Sequence, residues 1–198
     1  MSVWILAELE GSLPTGLTFE LLTAGRMLAD GLGQPLGAVV IGSGVTPFAG
    51  QLVSLGADRV VVADHPSLHP DLSEPYVDLA TQAMAPFGPT HLLAGHTPLG
   101  VEVAGRLAVR AQAGLVTACT GLGLAGGAVV AERPSDGGLA RIGVTSPLAI
   151  FTLQPGHHAW PSANAERSGE VMALELPAEG LISRIQLLES MPGEQSDR

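Results

Sequence analysis

The sequence predicts an open, doubly wound α/β domain with a mostly parallel sheet. Two observations predict it. Short, nearly continuous apolar runs recur at 3–9, 36–41, 60–63 and 91–94, as in strands buried on both faces. Each run is followed by a turn and a stretch of helical periodicity, so strand and helix alternate four times before about residue 111.

The elements follow in order. Val3 to Leu9 is the first strand, and the turn formers from Gly11 to Gly16 end it. Thr18 to Leu32 reads as a helix, with Leu21, Leu22, Leu28 and Ala29 on one face and Gly31 and Gly33 at its stop. Leu36 to Ile41 is the second strand, leaving through Gly42-Ser43-Gly44. Thr46-Pro47 has the form of a cap followed by a first-turn proline, so one helix is expected from there to about Leu55. Val60 to Ala63 is the third strand, and Ser73 to Met84 the third helix. His91 to Ala94 is the fourth strand, and Thr97-Pro98 repeats the capped start of a helix that buries Val103, Ala104, Leu107 and Ala108.

The pattern then changes. Runs at 117–124, 128–132, 140–145 and 148–153 are separated by Gly126-Gly127 and Asp136-Gly137-Gly138, which is hairpin chemistry. A small, mainly antiparallel β extension of the same domain is therefore expected. The domain is drawn at 1–160 and an irregular C-terminal extension at 161–198, with extended pieces at Val171–Leu176 and Leu181–Leu188 and a frayed end from Pro192.

Charge excludes several functions. The chain has 9 Lys+Arg against 19 Asp+Glu, a formal net charge of -10, and every basic residue is Arg. No basic stripe exists to displace counterions from phosphates, which argues against nucleic acid, and no polybasic segment exists for a membrane surface. The first eight residues lack a basic region and meet Glu8, unlike a secretory signal, and no apolar run is long enough to insert in a membrane. A cytoplasmic protein is expected. The single cysteine, Cys119, rules out an intramolecular disulfide framework.

Candidate chemistry gathers where strands end. At Ala94-Gly95-His96-Thr97-Pro98-Leu99-Gly100 a strand passes through a glycine turn into a capped helix. Ligands bind at this edge in doubly wound folds, and free N–H groups at a helix start favour an anion. Gly95, Thr97 and Gly100, with Gly42 and Ser43 at the second strand exit and Glu8 at the first, are thus candidate nucleotide-binding residues. The competing role is structural, with Thr97 as a cap and the glycines as turns. No G-x-G-x-x-G follows the first strand, and a chain without Lys has no lysine-containing phosphate loop. His65 and His69 lie in a proline-containing loop, and His157-His158 are adjacent, so neither pair has metal-ligand spacing. Cys119 within a strand reads as a buried, inert thiol, and Glu8 with Glu10 is a weak carboxylate pair. No nucleophile and base stand out, so the chain is expected not to be an enzyme. Arg133-Pro134, ending a β run, is a candidate partner contact.

Taken together, the ordered segments Val3–Glu8, Ala57–Asp64, Glu74–Ala80, His91–Ala118, Arg133–Ala140 and Phe151–Gly156 resemble the N-terminal domain of electron transfer flavoprotein alpha subunits. The resemblance covers residues 3 to about 160. It implies a fold related to adenine-nucleotide alpha-hydrolase-like domains and assembly with a beta subunit. In that family the complex passes electrons from dehydrogenases toward a quinone-linked acceptor through FAD, held mostly by a second alpha domain whose glycine-rich motifs have no counterpart here. Asp136, Leu139, Ala118 and Gln154 stand where the family has Tyr, Asn, Asp and Arg. The expected function is therefore a structural or docking component of an electron transfer complex, with no cofactor bound by this chain alone and FAD only through a partner. That partner is a beta-like subunit or a separate flavin domain, and a homodimer is the alternative assembly. The second reading is a small AMP- or ATP-binding module of the same fold.

Overall fold

The computed structural model describes residues 1–10, 13–176, 181 and 183–189. Its centre is a seven-stranded sheet. β1 (Ser2–Ala7), β4 (Leu36–Gly42), β5 (Arg59–Asp64) and β6 (Pro89–Gly95) are the four strands expected from the apolar runs. All pair in parallel, β1 lying between β4 and β6. β1 is buried at every position, with Val3, Ile5 and Ala7 in one core and Trp4 and Leu6 in the other. This two-sided burial is why the strand reads as continuous rather than alternating. β2 (Leu9–Glu10) and β3 (Leu13–Pro14) form a short hairpin beyond β1; the expected turn residues Gly11 and Ser12 lie outside the described residues.

The helices cover both faces. α1 (Gly16–Leu32) starts two residues earlier than its periodicity suggests, because Thr15 caps it by accepting from the Thr18 N–H. Its stop is as expected: Gly33 adopts φ 63, and its N–H bonds back to Ala29 and Asp30. α1 and α2 (Ala49–Ser54) pack on the face of Val3 and Ile5. α3 (Ser73–Met84) and α4 (Pro98–Ala111) pack on the face of Trp4 and Leu6. The second helix departs from expectation. Thr46–Phe48 is a 3₁₀ turn, and the Thr46 hydroxyl donates to Asp64 Oδ2 at 2.6 Å instead of capping a helix.

The region after α4 corrects the sequence reading. β8 (Gly121–Ala125), β9 (Ala128–Ser135) and β10 (Gly138–Gly143) do form a three-stranded antiparallel sheet. The start of the 117–124 run and the whole 148–153 run do not join it. β7 (Gly114–Cys119) and β11 (Ala149–Leu153) belong to the central sheet, where β11 lies parallel between β6 and β7. The hairpin signals at 126–127 and 136–138 govern only the excursion. β11 is wholly buried, the condition of an interior parallel strand. Leu122, Val129 and Ala131 then press the excursion onto the α1 side of the core.

Beyond residue 160, the extended piece expected at Val171–Leu176 overlaps β12 (Glu170–Ala173), which adds an edge strand parallel to β5. Residues 181 and 183–189 contain no strand, so the extended segment expected there is not seen among the described residues. Ile182 and the end from Pro192 to Arg198 lie outside them. Arg167 and Arg26 flank Asp58 at 2.6 and 2.7 Å, and Asp58 also accepts the Leu36 N–H, which fastens the returning chain beside the start of β4. No helix among the described residues is long and apolar enough to cross a membrane.

Candidate functional site

The strand order β12-β5-β4-β1-β6-β11-β7 reverses direction between β1 and β6. From β1 the chain steps outward to β4 and β5, then returns across β1 to β6. The crevice beyond the carboxyl ends of strands at such a point is where open α/β sheets place ligands. A cleft of about 270 Å³ lies there. Glu8, Gly42, Ser43, His69, Tyr76 and Leu99 line it with several apolar side chains. Of the sequence-predicted residues, Glu8, Gly42 and Ser43 meet in this cleft, while Gly95, Thr97 and Gly100 join it through Glu8.

Glu8 is fixed from several sides. Its N–H donates to Thr18 Oγ1 at 2.8 Å, and the Thr18 hydroxyl donates to the Glu8 carbonyl oxygen at 2.7 Å. The side chain, 8% exposed as a residue, runs to the start of α4. The Thr97 hydroxyl donates to Glu8 Oε2 at 2.8 Å and accepts the Gly100 N–H at 3.0 Å. Thr97 therefore caps α4 and holds the carboxylate at once. A Cβ on Gly95 would collide with Glu8 Oε1, and one on Gly100 would collide with the Gly95 carbonyl oxygen and come within 2.8 Å of Oε1. Both glycines are needed for the carboxylate to fit. Oε1 is buried and has no hydrogen-bond partner among the described residues. Burial pushes the Glu8 carboxyl above its ordinary range; the Thr97 hydroxyl and the nearby Gly95 amide oppose the rise without cancelling it. Burial and the Glu8 charge raise the Tyr76 phenol to about 12.

Two further carboxylates at this end of the sheet escaped the sequence reading. Asp64, closing β5, accepts the Gly44 N–H at 2.7 Å, the Thr46 N–H at 2.9 Å and the Thr46 hydroxyl. Burial would raise its carboxyl, but these donors outweigh it and hold it below the usual range. Glu20, 6% exposed in α1, accepts the N–H groups of Gly156, His157 and His158 at 2.9 to 3.0 Å, and is likewise held low against the effect of burial. Nothing local marks these pairings, whose partners lie 20 and 136 residues apart.

The remaining candidates lie elsewhere. Arg133 and Pro134 are neighbours on β9 and so face opposite sides of the small sheet. Pro134 is exposed opposite Leu139, itself 57% exposed, whereas Arg133 is half-buried and its charge is felt by Cys119. Cys119 is fully buried, and burial pushes its thiol up to about 11 against that charge. Its environment is that of an unreactive thiol. Among the described residues no group of three or more His, Cys, Asp or Glu side chains gathers as a metal site would. A larger groove, lined by Glu74, Asp78, Arg106, Val109, Arg110 and Arg184, runs along α3 and α4. Arg184 bonds Glu74 there, and mainly its backbone and side-chain hydrogen bonds lower the Glu74 carboxyl to about 2.

A doubly wound domain with a crevice at its switch point is, as a class, a nucleotide-type α/β fold. Comparison with known proteins makes the assignment narrower. The electron transfer flavoprotein domain model matches residues 3–179, and the chain belongs to the electron transfer flavoprotein family. It is 30% identical over 186 residues to the electron transfer flavoprotein subunit alpha of Bacillus subtilis (strain 168), covering 93% of this chain and 57% of that protein. The alpha subunit of Thermoanaerobacterium thermosaccharolyticum is 32% identical, over 87% of this chain and 54% of its own. The LctC subunit of the Acetobacterium woodii lactate dehydrogenase (NAD(+),ferredoxin) is 31% identical, over 90% and 44%. The chain thus spans about half the length of the curated relatives it matches.

Proposed function

We propose that this alpha-subunit-like chain is a docking component of an electron transfer complex, which it joins by binding a beta-like subunit or a separate flavin domain. The observation that carries this reading is the match of the chain to alpha subunits along 93% of itself. In this reading the chain supplies no catalytic residue, and FAD is held only once the partner is present. Residues 3–179 act as one docking domain. The partner rests on the outer face of β9 and β10. There Pro134 and Leu139 stand opposite each other, and Val130 pairs with Gly123 and Gly143, both with open space above them. The Glu132–Arg141 ion pair at 3.3 Å lies between these pairs on the same face, so the face offers a partner apolar ground beside a mutually neutralised charge pair.

Co-expression with the beta-like subunit of the same cell tests the proposal. A stable complex in size-exclusion chromatography with light scattering is expected, and Leu139→Glu should weaken it by about tenfold or more. FAD should be released on denaturing the complex and not the isolated chain. An isolated chain that binds neither beta-like subunit nor flavin domain, or a self-associated dimer that persists in their presence, would overturn the reading.

A further inference from the structure

Three carboxylates of the chain itself fill the turns at the carboxyl end of the sheet, Asp64 and Glu20 on clusters of backbone N–H groups and Glu8 on the Thr97 hydroxyl. Glu8 sits at the start of α4, Asp64 in the turn after β4, and Glu20 in the turn after β11. In an open α/β sheet such amide clusters, and above all a helix start at the switch point, receive the anionic group of a ligand. We infer that Glu8 is a specificity-determining residue, a built-in anion that closes the switch-point crevice of this chain to phosphate-bearing ligands.

The geometry at Glu8 carries the inference. Its carboxylate occupies the space that Gly95 and Gly100 leave open, so a phosphate approaching the first turn of α4 meets filled volume. It also meets negative charge, and among the described residues no Arg lines the cleft to compensate. Oε1 is buried and has no hydrogen-bond partner among the described residues, so packing rather than a full set of donors holds the carboxylate there. Burying a carboxylate with one oxygen unpaired costs stability. An apolar or hydroxyl side chain would have capped the strand without that cost. Asp64 and Glu20 likewise occupy the N–H groups of Gly44, Thr46, Gly156, His157 and His158 in the neighbouring loops. The inference rests on this chain's own geometry and stands apart from the docking proposal.

Equilibrium dialysis of radiolabelled inorganic phosphate and of AMP against the full chain at neutral pH tests it. The wild type should retain neither in a saturable way at millimolar concentration. Glu8→Ala, which opens the space beside Gly95 and Gly100 and removes the charge, should bind phosphate and AMP saturably and at least about tenfold more tightly than wild type. Saturable AMP binding by wild type that Glu8→Ala weakens would overturn the inference and make Glu8 a ligand contact. A folded Glu8→Ala with no gain would overturn it as well. Should Glu8→Ala fail to fold, Glu8→Ser leaves similar space and offers Thr97 a hydroxyl, and the same gain is required of it. None of these results bears on binding of the beta-like subunit, which is read by chromatography.

Discussion

Glu8 stands at a conflict between packing and solvation. The chain buries the side chain, gives one oxygen the Thr97 hydroxyl and leaves the other without a partner among the described residues. Its folded carboxyl is therefore raised above 4.5, mainly by burial. A raised carboxyl binds its proton more tightly in the folded state than in the unfolded one. Stability consequently falls as pH rises from 4.5 through the folded value, and the ionised form is a burden at neutral pH. Glu8→Gln should raise the melting temperature at neutral pH, and the gain should shrink toward pH 4.5, as read by thermal unfolding at both. Thr97→Ala removes both the cap of α4 and the donor to Glu8; it should cost about 1–2 kcal/mol in denaturant unfolding. These residues were legible in the sequence because a strand end, a glycine turn and a Thr-Pro start lie within a few positions. Asp64 and Glu20 were not, since each acts on amides that only the tertiary fold brings near.

At the scale of elements, the segment after β11 is clasped to α1. Glu20 gathers the Gly156, His157 and His158 amides, the Thr23 hydroxyl donates to the Ala159 carbonyl oxygen at 2.7 Å, and Trp160 meets Phe19 edge to face at 5.2 Å. Glu20 is held below 4.5, so its contribution is present above that value and is lost as pH falls through the folded value. Acidification below pH 4.5 should release the segment and red-shift the Trp160 emission, and Glu20→Gln should show the loosened state already at neutral pH. Trp4, fully buried beneath α3 and α4, serves as the unchanging reference. Gly100→Ala places a methyl against the Gly95 carbonyl, a backbone atom that cannot swing away, and should cost about 1–3 kcal/mol in the same unfolding assay. The helix starts show how far local pattern reaches. Thr97-Pro98 and Thr46-Pro47 look alike in sequence, yet only Thr97 caps. Asp64 competes for the Thr46 hydroxyl, and a competitor contributed by another strand has no local signature.

Across the whole molecule, the alternation of apolar runs and helical stretches was enough to fix a parallel sheet with helices on both faces. The place of β11 was hidden because hairpin-forming residues lie on either side of β9, and they say nothing about where the chain goes afterwards. The family motifs add the alpha-subunit likeness, while the partner remains the subject of the co-expression test.

The insertion of β11 also bears on how the chain reaches this state. Among the described residues β7 has β11 as its sole neighbour in the central sheet, yet residues 120–148 are made between them. During synthesis β6 keeps an unpaired edge and β7 waits without a hydrogen-bonded neighbour until the excursion is complete. Contacts of such long sequence separation slow folding, because the loop must close before the pairing rewards it. The late, wholly buried β11 is then the piece that locks the sheet, and its arrival marks the step from a half-built edge open to wrong strands to a sheet with its interior filled.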